Sequence, residues 1–229
     1  MKTSLIFLSL LLLVVSSNAQ DAQNLLNAVK KKLEAVKDYS GDATLSVDVS
    51  FMKVPDSKVK VYFRQPDLFK IIKTDGISIL PKGGMNVSLN SLISGKEFTA
   101  VPGGYTSMNG RKLAVIKLLP VADNSDVVLT TLLVEEKSAL VWKATTTTRE
   151  NGTYESNMEY GRFAQWGLPD KILFVFNTST FKLPKGVTME YEGSKNTNAA
   201  KQAGDGKGRV SLIYSGYTIN KGIAPDLFK

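Results

Sequence analysis

The sequence predicts an α+β fold: a strongly curved antiparallel sheet, or unclosed β barrel, with helix laid against it. Three observations predict it. One long amphipathic helix pattern stands near the start of the chain. Segments of alternating apolar and polar residues fill most of the chain beyond that helix. Turn signals separate those segments at short intervals, and no shift of composition marks a domain boundary.

The first residues stand apart from the fold. One lysine precedes an apolar run, Leu5 to Val15, and Ser17 and Ala19 occupy the small positions before a cut. Residues 1–19 read as a secretory signal peptide, cleaved after Ala19, so that residues 20–229 form a single domain beginning at Gln20. The apolar run is shorter than the roughly 20 residues that a membrane span needs. The chain has no cysteine, so it has neither a lipid-attachment site nor a disulfide. A small secreted eukaryotic domain would usually carry disulfides. The expected location is therefore a bacterial periplasm, with no lipid anchor.

The helix spans residues 21–38, where Leu25, Leu26, Val29, Leu33 and Val36 share one stripe and the lysines lie opposite. A strand follows, with Leu45, Val47, Val49 and Phe51 on one face. Val54-Pro-Asp-Ser57 reads as a turn. The next strand puts Val59, Val61 and Phe63 on one face and Lys58, Lys60, Tyr62 and Arg64 on the other. Gln65-Pro66-Asp67 bends the chain, and Leu68 to Ile72 returns as a third strand. Residues 74–96 are less regular; Val87, Leu89, Leu92 and Ile93 fit a short helix or a flap. A meander fills the second half. It includes a Pro102-Gly-Gly turn and a strand with Leu113, Val115, Lys117 and Leu119 on one face. A hairpin occupies residues 127–148 and leads to an Asn151-Gly152 turn. Two more strands flank a polar loop at residues 194–208. The chain ends on a second Pro-Asp-Leu-Phe-Lys, the first being Pro66 to Lys70.

Composition limits the chemistry. The formal charge is +8, but the lysines are scattered and form no stripe for nucleic acid. There is no histidine and no cysteine. Ser-His-Asp and Cys-His catalysis and the usual zinc sites are thereby ruled out. No phosphate-binding or dinucleotide glycine motif is present. A non-enzymatic protein without metal or cofactor is expected.

The order of elements resembles the LolA/LolB-like outer-membrane lipoprotein-sorting family, in particular members from Bacteroidetes-type bacteria. The resemblance rests on the Val-Tyr-Phe-Arg-Gln-Pro-Asp-Leu-Phe bend at residues 61–69 and on the meander from Leu132 to Phe163. It implies an unclosed barrel with a helical lid over an apolar cavity that holds the acyl chains of lipoproteins. Lacking an anchoring cysteine, the chain matches the soluble carrier type. The expected partners are lipoprotein acyl chains or lipid, with an inner-membrane release complex and an outer-membrane acceptor; a monomer is expected. A lipid-sensing regulatory or envelope-binding protein of the same fold is the alternative.

Under this reading, Leu45, Val47, Val49, Phe51, Val59, Val61, Phe63, Phe69 and Ile71 line the cavity. Leu26, Val29, Leu33, Arg64 and Gln65 belong to the lid and its gate. Carriers of this family place an arginine directly before the bend proline, with lid-closing hydrogen bonds ascribed to it. Here that position is Gln65, and Arg64 sits one residue earlier. Since successive strand residues face opposite ways, Gln65 is expected at the cavity mouth and Arg64 on the other face. A neutral amide would hold the lid more loosely than a charged group.

Overall fold

The computed structural model describes residues 20–49, 52–74, 88–179 and 206–228. The expected signal peptide, Phe51 and most of the polar loop at 194–208 lie outside them.

Ten strands form one sheet: β1 (Asp38–Val49), β2 (Met52–Arg64), β3 (Leu68–Lys73), β4 (Phe98–Met108), β5 (Arg111–Pro120), β6 (Val127–Glu135), β7 (Leu140–Thr148), β8 (Gly152–Glu159), β9 (Lys171–Asn177) and β10 (Lys207–Ile219). Their order is β3-β2-β1-β10-β9-β8-β7-β6-β5-β4, and every pairing is antiparallel. Only the β1–β10 pairing departs from a simple meander. It joins the first three strands to the last seven. The sheet does not close: β3 and β4 are its two edges. Two helices complete the described fold, α1 over residues 20–34 and α2 (Leu89–Ile93). Short 3-10 turns occupy Ala164–Trp166 and Pro225–Phe228.

The apolar stripe makes α1 a helix and fixes which side it buries. Leu26, Val29, Leu33 and Val36 are buried in one core with the inner faces of β1, β2, β9 and β10. The helix stops at residue 34, four short of the periodicity limit. Asp38 and Tyr39 are instead claimed by the sheet, where they pair with Arg64 and Phe63 on one side and Tyr39 pairs with Ile219 on the other. Tertiary pairing overrides helix propensity at such a junction.

Two expected turns are strand. Val54 to Ser57 lie inside β2. Pro102-Gly-Gly is a bulge within β4, with the register shifting between Pro102 and Tyr105. A Cβ on Gly103 would stand 2.7 Å from Val115 Cγ1, so glycine lets the two strands meet there. The real β4–β5 turn is Asn109-Gly110, both at positive φ (51° and 74°), as a type I′ turn requires. On β5 the core face carries Ile116 and Leu118. Leu113 faces the other way, into a small outer cluster with Leu140 and Trp142.

Gly41 is the tightest point of β1. A Cβ there would lie 3.0 Å from Tyr214 Cδ1 and 3.2 Å from Tyr217 Cδ1. Both rings are held by stacking on each other, so they have little room to retreat. Gly41→Val is expected to cost about 2 kcal/mol through overpacking, visible as a lower urea midpoint. An unchanged midpoint would mean that the tyrosine stack is looser than the geometry states.

Candidate functional site

The inner face of β1–β3 is built by strict alternation. Leu45, Val49, Val59, Val61, Phe63 and Ile71 are buried; Val47 and Phe69 are partly buried against the same core. Opposite them, Lys58 and Lys60 are exposed, and Tyr62 and Arg64 half-buried. The structure thus brings eight of the nine expected cavity residues onto one continuous surface; the ninth, Phe51, is outside the described residues. Leu26, Val29 and Leu33 of α1 pack into the same core. Among the described residues, a pocket between α2 and the β8–β9 connection measures about 20 Å³ and is lined by Tyr39, Ser88, Tyr160, Leu168 and Tyr217 among others. That is room for about one water and far less than an acyl chain.

What holds α1 in place is its C-terminal end. A helix leaves its last carbonyls without intrahelical partners. Here three side-chain amides from three distant places take them. Asn90 of α2 donates to Leu33 O (3.4 Å). Gln65 Nε2 donates to both Glu34 O and Val36 O (3.0 Å each). Asn220 Nδ2 donates to Ala35 O (2.9 Å), while its Oδ1 accepts from Lys37 N (2.7 Å). Backbone bonds reinforce the joint: Gln65 N donates to Lys37 O and Asn220 N to Asp38 O, both at 2.9 Å. The Gln65–Pro66 peptide is cis. Arg64, by contrast, finds no hydrogen-bond or ion-pair partner for its guanidinium among the described residues.

The other end of α1 is held more lightly. Gln23 Oε1 accepts from Ala100 N of edge strand β4 (3.2 Å). Lys30 Nζ donates to Lys96 O, just before β4 (2.6 Å). The helix therefore spans the gap in the sheet, from the β4 edge to the β2–β3 bend. At the bend, Pro66 approaches Gly95 across that gap; a Cβ on Gly95 would lie 3.5 Å from Pro66 Cβ. The second Pro-Asp-Leu-Phe also ends here. Its 3-10 turn lies beside β3, with Lys70 Nζ donating to Leu227 O (2.5 Å).

Asn90 and Asn220 escape sequence reading because their partners lie far away along the chain. A faint signal exists for Asn220. It follows the last strand directly and sits at φ +54°, a conformation that asparagine tolerates.

The interior is not wholly apolar. Tyr39, Tyr214 and Tyr217 cluster beneath the helices. Tyr214 stacks on Tyr217 at 4.5 Å, Tyr39 meets Tyr217 edge-on at 5.2 Å, and Tyr39 stacks on Phe63 at 5.4 Å. Burial pushes the phenols of Tyr39, Tyr160, Tyr214 and Tyr217 well above their ordinary value of 10.0. In the unfolded chain they ionise near that ordinary value, while the folded protein retains their protons. Their contribution to stability is thus intact below about pH 10 and is lost as pH rises beyond it. Urea midpoints measured between pH 8 and pH 11 should be level up to the phenol range and then fall steeply. A flat profile to pH 11 would contradict the burial of these hydroxyls.

No helix among the described residues is long and apolar enough to cross a membrane. No group of acidic side chains among them could hold a metal ion. No family model matches the sequence, and no curated protein does. Solved structures do match the fold. A putative outer membrane lipoprotein-sorting protein domain from Vibrio parahaemolyticus superposes with a TM-score of 0.60 at 11% identity, covering 93% of this chain and 97% of that one. A DUF1329 family protein from Desulfovibrio piger gives 0.55 at 10% identity, over 93% and 97% of the two chains. A LolA superfamily protein from Nitrosomonas europaea gives 0.54 at 10% identity, over 89% and 96%. At these identities the likeness is one of architecture, and it agrees with the resemblance carried by the bend and the meander. An open ten-stranded antiparallel sheet with a helix across its gap is thus the fold this chain shares with the LolA-like lipoprotein-sorting proteins.

Proposed function

We propose that this chain carries acyl chains of lipoproteins or lipids through the periplasm towards the outer membrane. One observation carries the reading. A continuous apolar sheet face is covered by a helix whose end, among the described residues, is fastened by neutral hydrogen bonds. Magnitudes favour opening on demand. Each buried methylene contributes roughly 0.8 kcal/mol, so a sixteen-carbon chain supplies about 12 kcal/mol gross. The amide bonds at the end of α1 contribute roughly 1 kcal/mol each. The ligand therefore outweighs the fastening, and it takes over the surface that α1 leaves. Leu45, Val47, Val49, Phe51, Val59, Val61, Phe63, Phe69 and Ile71 would line the opened cavity, with α1 and Gln65 as lid and latch. Loading from an inner-membrane release complex and delivery to an outer-membrane acceptor complete the proposed route.

Native mass spectrometry of the exported protein tests this reading. Co-purifying acyl lipid, or uptake of a fluorescent fatty-acyl probe after delipidation, is the expected result. A folded protein that takes up no acyl probe ends it. Intact mass also tests the location: the mature chain should begin at Gln20 without added acyl mass. A retained leader or a covalent lipid would contradict a soluble carrier.

A further inference from the structure

The tyrosine cluster holds a donor that the folded protein leaves unused. Tyr214 is 3% exposed, and among the described residues its hydroxyl has no hydrogen-bond partner. Its oxygen lies close to the hydroxyls of Tyr39 and Tyr217, which interact with it, but neither is placed as an acceptor for its own O–H. Tyr217 donates to Pro169 O (2.7 Å), and Tyr39 sits beside Ser88. A buried hydroxyl without an acceptor costs about 1–3 kcal/mol. A phenylalanine would fill the same space at no such cost, and this core uses phenylalanine freely at Phe63 and Phe174. The hydroxyl therefore calls for an explanation beyond packing.

The ring is also held in place. Stacking on Tyr217 and the missing Cβ of Gly41 fix its plane. Tyr39 and Tyr217, its two hydroxyl neighbours, both line the small cavity under α2. The surroundings select a neutral acceptor. The Asp170 carboxylate acts on Tyr217, and the nearby Arg162 guanidinium is spent on Ser215 O (3.0 Å). An anion would meet repulsion there, with no free cation among the described residues to offset it. An acyl chain in the apolar interior has one neutral acceptor, the carbonyl oxygen at its head.

We propose that Tyr39, Tyr214 and Tyr217 form a polar subsite within the apolar interior, where the Tyr214 O–H donates to the carbonyl oxygen of an acyl ester or amide. The inference rests on the carrier reading and adds to it the ligand's head chemistry. It also sets the depth at which a chain stops, because the carbonyl must reach the cluster while the methylenes lie along the β1–β3 face. Burial keeps the phenol protonated, so the donor is present throughout the neutral range.

The test uses the mature full-length protein, delipidated, and three probes of equal chain length: methyl dodecanoate, N-methyl dodecanamide and dodecane. Each competes against a bound fluorescent acyl probe, for wild type and for Tyr214→Phe. The variant should weaken the ester, the amide or both about five- to ten-fold and leave dodecane within two-fold. Without ligand, its melting temperature should equal or exceed that of wild type, since the hydroxyl it removes has no partner. Loss of amide binding alone indicates amide-linked chains, as on a protein amine. Loss of ester binding alone indicates glyceryl esters. Tyr217→Phe is the stability control: it removes a satisfied bond to Pro169 O, so it should lower the melting temperature where Tyr214→Phe does not. Equal weakening of all three probes, no weakening, or a destabilised or unfolded Tyr214→Phe overturns the subsite and leaves the carrier reading in place. Failure of wild type to bind any of the three overturns both.

Discussion

Phe63→Glu should leave the chain unable to hold its native fold. Phe63 is fully buried, stacks on Tyr39, and pairs across strands with Tyr39 and Phe69. Truncating such a ring costs about 3–5 kcal/mol from lost transfer and cavity alone. A carboxylate adds its desolvation, several kcal/mol more with no cation among the described residues of that face. The sum is comparable with the roughly 5–15 kcal/mol by which a domain is stable. Phe63→Leu keeps most of the volume and should cost only about 1–2 kcal/mol. Far-ultraviolet circular dichroism and urea titration of the pair decide the matter. A well-folded Phe63→Glu would mean that this face meets water, and the interior on which the carrier reading depends would not exist.

Gln65→Ala should release a bound acyl probe about ten-fold faster than wild type, and Arg64→Ala less than two-fold. The alanine removes two bonds, to Glu34 O and Val36 O, together worth about 2 kcal/mol before solvent rescue of the carbonyls. Arg64 points away from α1 and has no described partner to lose. Asn220→Ala should act like Gln65→Ala, because it frees Ala35 O and the Lys37 N–H at the same joint. The two changes share one helix end, so their effects should not add. Gln65→Arg should slow release, since charge-assisted bonds to the same carbonyls are roughly twice as strong. Hydrogen exchange of α1 amides, read alongside the release rates, shows whether the helix itself has loosened. If Arg64→Ala speeds release and Gln65→Ala does not, the faces at the bend are reversed.

Where the chain's own alternation governs, sequence and structure agree residue by residue. Leu45, Val59, Val61 and Phe63 reach the inner face because period two leaves them no other place. The stripe on α1 faces the core for the same reason at period 3.6. Disagreement comes where distant partners decide. The end of α1 is set by the pairing of β1 with β2 and β10. The Pro102-Gly-Gly bulge depends on how closely Val115 approaches. Asn109-Gly110 is a local signal, as strong as Asn151-Gly152, and is legible without any structure. The latch is legible in part. Gln65 is marked by its place before the bend, but Asn90 and Asn220 become its partners only once β10 returns to Asp38. The tyrosine cluster is assembled in the same way, from β1 and β10, and the irregular register between Asp42 and Ala43 turns two tyrosines three residues apart towards each other.

The bulge in β4 has a consequence for how molecules of this protein meet. An open sheet ends in a strand whose outward groups can template another chain, and stacked copies of such edges grow into fibres. β4 is poor material for that. Pro102 has no N–H to offer, Gly103 and Gly104 throw the strand out of register, and the Ala100 N–H is already occupied by Gln23. The irregularity that lets two strands approach inside the molecule thus also spoils the template on its outside. Wherever copies of an open sheet meet often, such a flaw limits edge-to-edge growth.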